Sequence, residues 1–267
     1  MKPSIALTIA GSDCSAGAGL QADLKTFSSF GVHGLTAVTC VVSETPLTVS
    51  CVHPIPPVIL QDQVRLMLSS YPIAAIKTGM LYSKSHIVAI CELLEEVDIP
   101  IIVDPVMVAS TGDPLLVDDA LEAISGRLMP LATIITPNLP EAGILLGRPV
   151  LTADEQERAA IELASKYGAA CYLKGGHLKD QSQHRDILID GEALYSFVAN
   201  HLDLPQTHGT GCTLAAALTA GIAKGLSLED AAREAHRFTH QALKNSVQWT
   251  SPGGHVSLYH LDQGQFQ

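Results

Sequence analysis

Cys212 follows the turn His208-Gly209-Thr210-Gly211 and opens a run of small residues reaching Gly225, which reads as a helix. The unpaired N–H groups at such a helix start, together with the positive end of its dipole, make an anion site. Gly209 and Gly211 let phosphate oxygens approach the backbone. A thiol at that mouth has its thiolate favoured, so partial ionisation near neutral pH is expected of Cys212. The other reading is a structural cysteine in an alanine-rich helix.

Three further stretches carry chemistry. In "TPNLPEA", Asn138 and Glu141 share a face of a first helical turn. A carboxamide and a carboxylate there suit a hydrated Mg²⁺, and equally the N-cap and third position of a capping box. In "YLKGGH", Lys174 ends a strand before two glycines, where it can reach a phosphate as a point charge or simply snorkel at the strand end. The opening stretch, Ile5 to Asp23, contains Gly17-Ala18-Gly19-Leu20-Gln21-Ala22, which fits the dinucleotide pattern G-x-G-x-x-[G/A], with Glu44 downstream. Against that reading, Gly11 to Ala16 intervene between the strand end at Ala10 and Gly17, where a nicotinamide fold makes a tight turn. Gly11-Ser12-Asp13, with Asp23 on the first helical turn, reads better as a substrate loop. A phosphate cradle, a magnesium carboxylate, a lysine and a reactive group beside the cradle together describe phosphoryl transfer to an alcohol. No G-x-x-x-x-G-K-[ST] and no G-x-S-x-G occurs.

The elements that must position these residues alternate between strand and helix. Strands are expected at Ile5–Ala10, Thr36–Val42, Thr48–Val52, Ala74–Lys77, Ile101–Val103, Thr133–Thr136 and Ala170–Lys174, with a hairpin around Asp190-Gly191. Helices are expected at Gln21–Phe30, Val58–Ser69, His86–Val97, Leu116–Leu128, Leu139–Leu146, Asp154–Tyr167, Thr213–Lys224 and Leu228–Ser246. Such alternation implies βαβ units, a mostly parallel sheet, and ligands bound at the loops following strands. No repeat or linker divides residues 1–267, so one domain is expected.

Composition sets the class. Hydrophobic residues make up 47% and charged residues 16% of the 267, enough for a sizeable core. Aromatics are only 4%, so aliphatic side chains must do the packing. The net charge of −11, with no basic run, argues against nucleic-acid or anionic-membrane partners. The six scattered cysteines form no C-x-x-C and suggest a reducing cytoplasm. No apolar run is long enough to span a bilayer, and no signal peptide is expected before the first strand.

Segments "ALTIAGSD", "GAGLQADLKTF", "KTGML", "DPVM", "STGDPLL", "TPNLPEA", "KGGH" and "HGTGCTLAAAL", from Ala6 to about Leu218, resemble the ribokinase superfamily. Within it they resemble the hydroxymethylpyrimidine/phosphomethylpyrimidine kinases of thiamin biosynthesis, which carry a cysteine where most ribokinase relatives have an aspartate base. The resemblance implies a three-layer α/β/α sandwich, usually dimeric, that uses ATP and Mg²⁺ to phosphorylate a pyrimidine twice. It implies that Gly11, Asp23, Glu44, Met80 and Val106 hold the pyrimidine and that Cys212 activates the acceptor oxygen. It implies that Gly209, Thr210 and Gly211 stabilise the transferring group, that Lys174 and Asn138 contact the nucleotide, and that Glu141 and Asp104 organise Mg²⁺. Val106 to Pro114 would be a mobile lid. The chain departs from the family pattern at Glu44, usually glutamine, and at Cys14, usually proline. Related kinases phosphorylate pyridoxal on the same scaffold, some with a lid cysteine where this chain has Ala109.

Overall fold

Strand residues of this chain alternate cleanly between two apolar layers. A computed structural model describes residues 2–107, 120–176, 183–204, 208–254 and 256–259. Its main sheet has nine strands in the order β3-β2-β1-β4-β5-β6-β7-β8-β9. These are β1 (Ile5–Asp13), β2 (His33–Thr45), β3 (Thr48–Pro54), β4 (Ala75–Thr78), β5 (Ile101–Val103), β6 (Ile134–Ile135), β7 (Ala170–Leu173), β8 (Gln183–Asp190) and β9 (Ala193–Asn200). The pairings from β2 through β1 and β4 to β7 are parallel, and antiparallel strands finish both edges.

The helices are α1 (Gly19–Ser29), α2 (Pro57–Ser70), α3 (Lys84–Leu94), α4 (Ala120–Ala123), α5 (Leu139–Leu146), α6 (Ala153–Tyr167), α7 (Thr210–Ala223) and α8 (Leu228–Lys244). On one face Leu7, Ile76, Val103, Ile135 and Cys171 pack against α2 to α6. On the other, Ala6, Ala75, Ile102, Ile134 and Tyr172 meet α1, α7 and α8. This is the expected three-layer sandwich. Each fully buried Leu or Ile contributes about 1.5–3 kcal/mol to it. Alanines at 215, 216 and 217 of α7, all fully buried, let that helix lie close on the sheet.

Differences from expectation have local causes. Helix α7 begins at Thr210 because Gly209, in the left-handed region at φ +80°, caps it. The helix expected at Leu116–Leu128 falls partly outside the described residues; the rest is the short α4, a wide π turn (Ile124–Leu128) and a 3-10 turn carrying Pro130. A small hairpin, β10 (Val247–Thr250) with β11 (Val256–Tyr259), follows α8 and was not foreseen, its strands being short.

Candidate active site

The carboxyl ends of β1 and of β4 to β7 open on one cavity of about 780 Å³, closed from the other side by the N-terminus of α7. It is lined by Gly11, Glu44, Met80, Val106, Asp104, Asn138, Glu141, Lys174 and the segment Gly209 to Cys212. Thus every residue expected to hold substrate, nucleotide or metal lines the cavity except Asp23. The lid expected over Val106 to Pro114 lies, beyond Met107, outside the described residues.

Backbone packing explains the glycines. A Cβ on Gly209 would stand 1.8 Å from the Gly17 carbonyl oxygen, and one on Gly19 (φ +55°) 2.4 Å from the Gly11 oxygen. The opening glycine loop is therefore pressed against the α7 loop, and its resemblance to a dinucleotide fingerprint reflects this close approach. Thr210 Oγ1, at the first position of α7, is buried and has no hydrogen-bond partner among the described residues. An orphaned hydroxyl beside free helix-start N–H groups suits a phosphoryl oxygen.

Charges gather beside this helix start. Lys174 Nζ lies 2.9 Å from Asp104 Oδ1, which also accepts from Thr136 Oγ1 at 3.1 Å. A Cβ on Gly211 would stand 3.1 Å from Lys174 Nζ, so the α7 backbone passes directly over the lysine. The capping box is present: Asn138 Oδ1 accepts from the Glu141 N–H, and Glu141 Oε2 from the Asn138 N–H, both at 2.8 Å. Burial, with the Asp104 charge, raises Glu141 to about 7 although Lys174 and two backbone N–H groups pull it down. Two buried carboxylates thus share one lysine, a donor set that a divalent cation would complete.

Cys212 corrects the sequence reading. It occupies the third position of α7 and is half-buried. Burial pushes its thiol up to about 11, with Asp23 and Asp104 adding to the rise. Lys77 and the Gly19 N–H, which is directed at the sulfur, oppose it. The local motif supplies a favourable dipole, but burial and the carboxylates of Asp23 from α1 and Asp104 just after β5 outweigh it, and the thiol is neutral near pH 7. Asp23 is likewise corrected: it is fully buried behind the cavity, its oxygens taken by Lys77 Nζ at 2.8 Å each and by Thr8 Oγ1 at 2.6 Å.

Around β1 and β2, Gly11 packs against Cys40 and Met80; a Cβ there would stand 2.9 Å from Cys40 Sγ. Burial and the Asp13 charge raise Glu44 to about 7, while His208 pulls it down. The two departures from the family pattern touch: Cys14 Sγ lies 3.2 Å from the Glu44 carbonyl oxygen and 3.3 Å from its nitrogen. Asp13, Glu44 and His208 bring ligand-type atoms within 4.8 Å of one another. Asp13, however, already accepts from the N–H groups of Ser15, Gly17 and Ala18, from Ser15 Oγ and from His208, which leaves it little capacity for a metal.

The far end of the cavity was not foreseen. There the buried Asp186 accepts from Gly175 N–H at 2.8 Å and from Tyr172 OH at 2.9 Å, and pairs with His184 at 3.0 Å; His236 stands 4.0 Å away. "HRDILID" carried the signal, since an aspartate ahead of an apolar strand core must find buried donors.

Comparisons with known proteins give the family and the fold. The pattern of the phosphomethylpyrimidine kinase family matches residues 13–257. A hydroxymethylpyrimidine/phosphomethylpyrimidine kinase of Rhizobium meliloti (strain 1021) is 40% identical over 260 residues, 97% of each chain. The solved ADP complex of Bacillus subtilis pyridoxal kinase superposes with a TM-score of 0.88 at 35% identity, covering 97% of this chain and 98% of that one. The phosphomethylpyrimidine kinase of Clostridium difficile 630 gives 0.80 at 33% identity over 90% of this chain and 99% of that one. On the strength of the matched pattern and of relatives that cover nearly its whole length, the chain belongs to the phosphomethylpyrimidine kinase family.

Proposed function

We propose that this kinase transfers the γ-phosphoryl group of ATP, with Mg²⁺, to hydroxymethylpyrimidine and then to its monophosphate, in thiamin biosynthesis or salvage, using residues 1–267 as one domain. The observation that carries this reading is the meeting of the α7 N-terminus with Lys174, Asp104 and Glu141 at one cavity. The ring lies against Gly11, Glu44, Met80 and Val106. Backbone N–H groups of Gly209, Thr210 and Gly211 hold the transferring group, with the Thr210 hydroxyl as a further donor. Lys174 and Asn138 hold the nucleotide phosphates, and the base lies toward His236. Glu141 and Asp104 would hold Mg²⁺, which when bound neutralises charge on the phosphate oxygens. Cys212 stands where it can take the proton of the acceptor hydroxyl once its own has left. Because phosphoryl transfer is loose, positioning outweighs base strength.

A homodimer is part of the proposal. Val58, Ile59 and Leu66 of α2, 68%, 50% and 51% exposed, form an apolar face that a second copy would cover. No helix among the described residues is long and apolar enough to cross a membrane. The free cysteines fit a reducing cytoplasm.

A B6-vitamer kinase is the second reading, favoured by the close superposition on the Bacillus subtilis pyridoxal kinase. ATP consumption with the free pyrimidine, its monophosphate and pyridoxal decides. Turnover of both pyrimidine forms is expected. Turnover of pyridoxal alone would move the assignment to the second reading, and turnover of none would overturn both.

A further inference from the structure

Phosphoryl transfer by itself does not require a carboxylate beside the loop that receives phosphate, yet Glu44 stands there. His208 immediately precedes Gly209, and its Nε2 lies 3.0 Å from Asp13 Oδ2. Glu44 brings a carboxylate oxygen within 4.8 Å of ligand-type atoms of both residues. Local structure puts it there. The register of β2 on β3 shifts between Ser43 and Glu44, and an irregularity of this kind re-aims a side chain. Cys14 holds the Glu44 backbone, its sulfur 3.2 Å from the carbonyl oxygen and 3.3 Å from the nitrogen. The half-buried side chain lines the same cavity as Gly209, Thr210 and Gly211.

The two carboxylates differ in what holds them. Asp13 is occupied by the N–H groups of Ser15, Gly17 and Ala18 and by His208, so its charge orders the two glycine loops. Among the described residues no side-chain or backbone donor is bonded to the Glu44 carboxylate; only its backbone is held, by Cys14. The titratable groups facing it are Asp13 at the end of β1, His208 ahead of α7 and the Cys40 thiol of β2. Burial, and then the Asp13 charge, hold its carboxyl up at about 7, with His208 pulling the other way. Above that pH Glu44 adds a second negative charge beside His208, one residue from Gly209. Phosphate arriving at Gly209 to Gly211 meets that charge in a half-buried site, where repulsion is stronger than in water. An acceptor ring that shares a proton with Glu44 removes the charge. Glutamine, usual at this position in the kinases that the sequence resembles, has no charge to remove.

We propose that Glu44 makes nucleotide binding conditional on the acceptor: its ionised carboxylate opposes phosphate at the Gly209–Gly211 loop, and an acceptor ring seated on Glu44 lifts that opposition. By linkage the nucleotide strengthens acceptor binding by the same factor. The enzyme then takes the acceptor first and holds ATP poorly when only water could receive the phosphoryl group. The acceptor half of this inference rests on the proposed function, in which the ring lies against Glu44; the opposition to phosphate concerns this chain alone.

The test is calorimetric titration of ADP with Mg²⁺ into the natural enzyme and into Glu44→Gln, at about pH 8 and about pH 6, with and without saturating hydroxymethylpyrimidine. Comparing the two proteins at each pH cancels the titration of ADP itself and of Glu141. At about pH 8 without acceptor, Glu44→Gln is expected to bind ADP about fivefold more tightly than the natural enzyme. The pyrimidine is expected to tighten ADP binding by a similar factor in the natural enzyme and by clearly less in the variant. At about pH 6, where Glu44 holds its proton, the two proteins are expected to bind ADP alike. Equal affinities at about pH 8 overturn the proposal, since His208 would then cancel the charge. The same difference at both pH values overturns it too, because a change of packing does not titrate. Glu192→Gln, exposed in the turn from β8 to β9 at the other end of the sheet, is the control for net charge, and an equal gain there also overturns it. Absence of pyrimidine binding to the natural enzyme would instead count against the proposed function, and the acceptor-free affinities would still decide whether Glu44 opposes phosphate.

Discussion

His208 Nε2 stands 3.0 Å from Asp13 Oδ2, joining two loops 195 positions apart in the chain. The same Asp13 oxygen accepts from the Gly17 and Ala18 N–H groups at 3.0 and 2.8 Å. The glycine loop that opens α1 and the glycine loop that opens α7 are therefore one assembly with a carboxylate at its centre. The N–H groups at Gly209 to Gly211, which the proposed function aims at phosphate, depend on contacts made at residues 13 to 18.

That assembly has a pH signature. Burial works against ionised Asp13, but His208 and the backbone donors prevail and lower it from 3.8 to about 2. A folded-state value below the unfolded one contributes stability that is present above 3.8 and lost as pH falls through about 2. Asp13→Asn should thus lower the melting temperature at pH 7 and lose that deficit near pH 2. His208→Ala should cost about 1–3 kcal/mol at neutral pH by leaving a buried acceptor short of a donor. Melting curves for both variants across this range test the point; a deficit independent of pH would show that the carboxylate charge plays no part.

Glu44 behaves with the opposite sign. Its folded-state value, near 7 against 4.5 ordinarily, means that the folded chain holds a proton the unfolded chain has lost. Stability therefore falls as pH rises from 4.5 to about 7 and then levels off, and Glu44→Gln should abolish that decline. A protonated Glu44 can also donate to a ring nitrogen of an aminopyrimidine, which an ionised one cannot. The pyrimidine KM should worsen above neutral pH for the natural enzyme and stay flat for Glu44→Gln. Parallel KM profiles from the two proteins would refute the shared proton.

The sheet was readable because apolar runs such as Ile5–Ala10 and Ile101–Val103 end at glycines or polar turns, and helical periodicity fills the gaps. Loops after those strands carry the site, so the residues lining the cavity were readable too. What could not be read was each group's surroundings. The turn before Cys212 advertises a helix dipole, but the burial and the two carboxylates that keep the thiol protonated come from distant segments. Asp23 looks available on a first helical turn until β4 brings Lys77 against it. A lysine inside "AAIKTGM" does signal a buried partner, but only the fold says which.

Gly209 tests the anion cradle without touching a charge. Alanine there must adopt φ near +80° and would place its Cβ 1.8 Å from the Gly17 oxygen, against backbone that cannot yield as a side chain can. Strain of this kind costs about 1–3 kcal/mol before the clash is counted. Gly209→Ala should unlock the two loops and cut kcat at least tenfold, about 1.4 kcal/mol of barrier. Gly225, also at positive φ (+84°) but with nothing near its Cβ, is the control: alanine there should cost stability and leave kcat alone. Equal activity losses from both would mean that the effect is global.

Glu141 has two roles that one substitution separates. Its Oε2 caps α5 by accepting from the Asn138 N–H, and a glutamine oxygen can accept that bond equally well. Its charge is another matter. Burial and Asp104 hold the carboxyl near 7 in the metal-free protein, so a divalent cation must displace a proton at or below neutral pH. Affinity for Mg²⁺ should accordingly climb as pH rises through 7 and level off above it. Glu141→Gln should melt within about 0.5 kcal/mol of the natural enzyme, since the capping box survives. It should also require markedly more Mg²⁺ for half-maximal activity, with the pH dependence of that requirement gone. Glu141→Ala should lose the cap as well, at a cost of about 0.5–2 kcal/mol. Mg²⁺ titrations at pH 6.5 and 8 read the difference: a Glu141→Gln enzyme with the natural Mg²⁺ requirement at both would make this carboxylate a cap and nothing more.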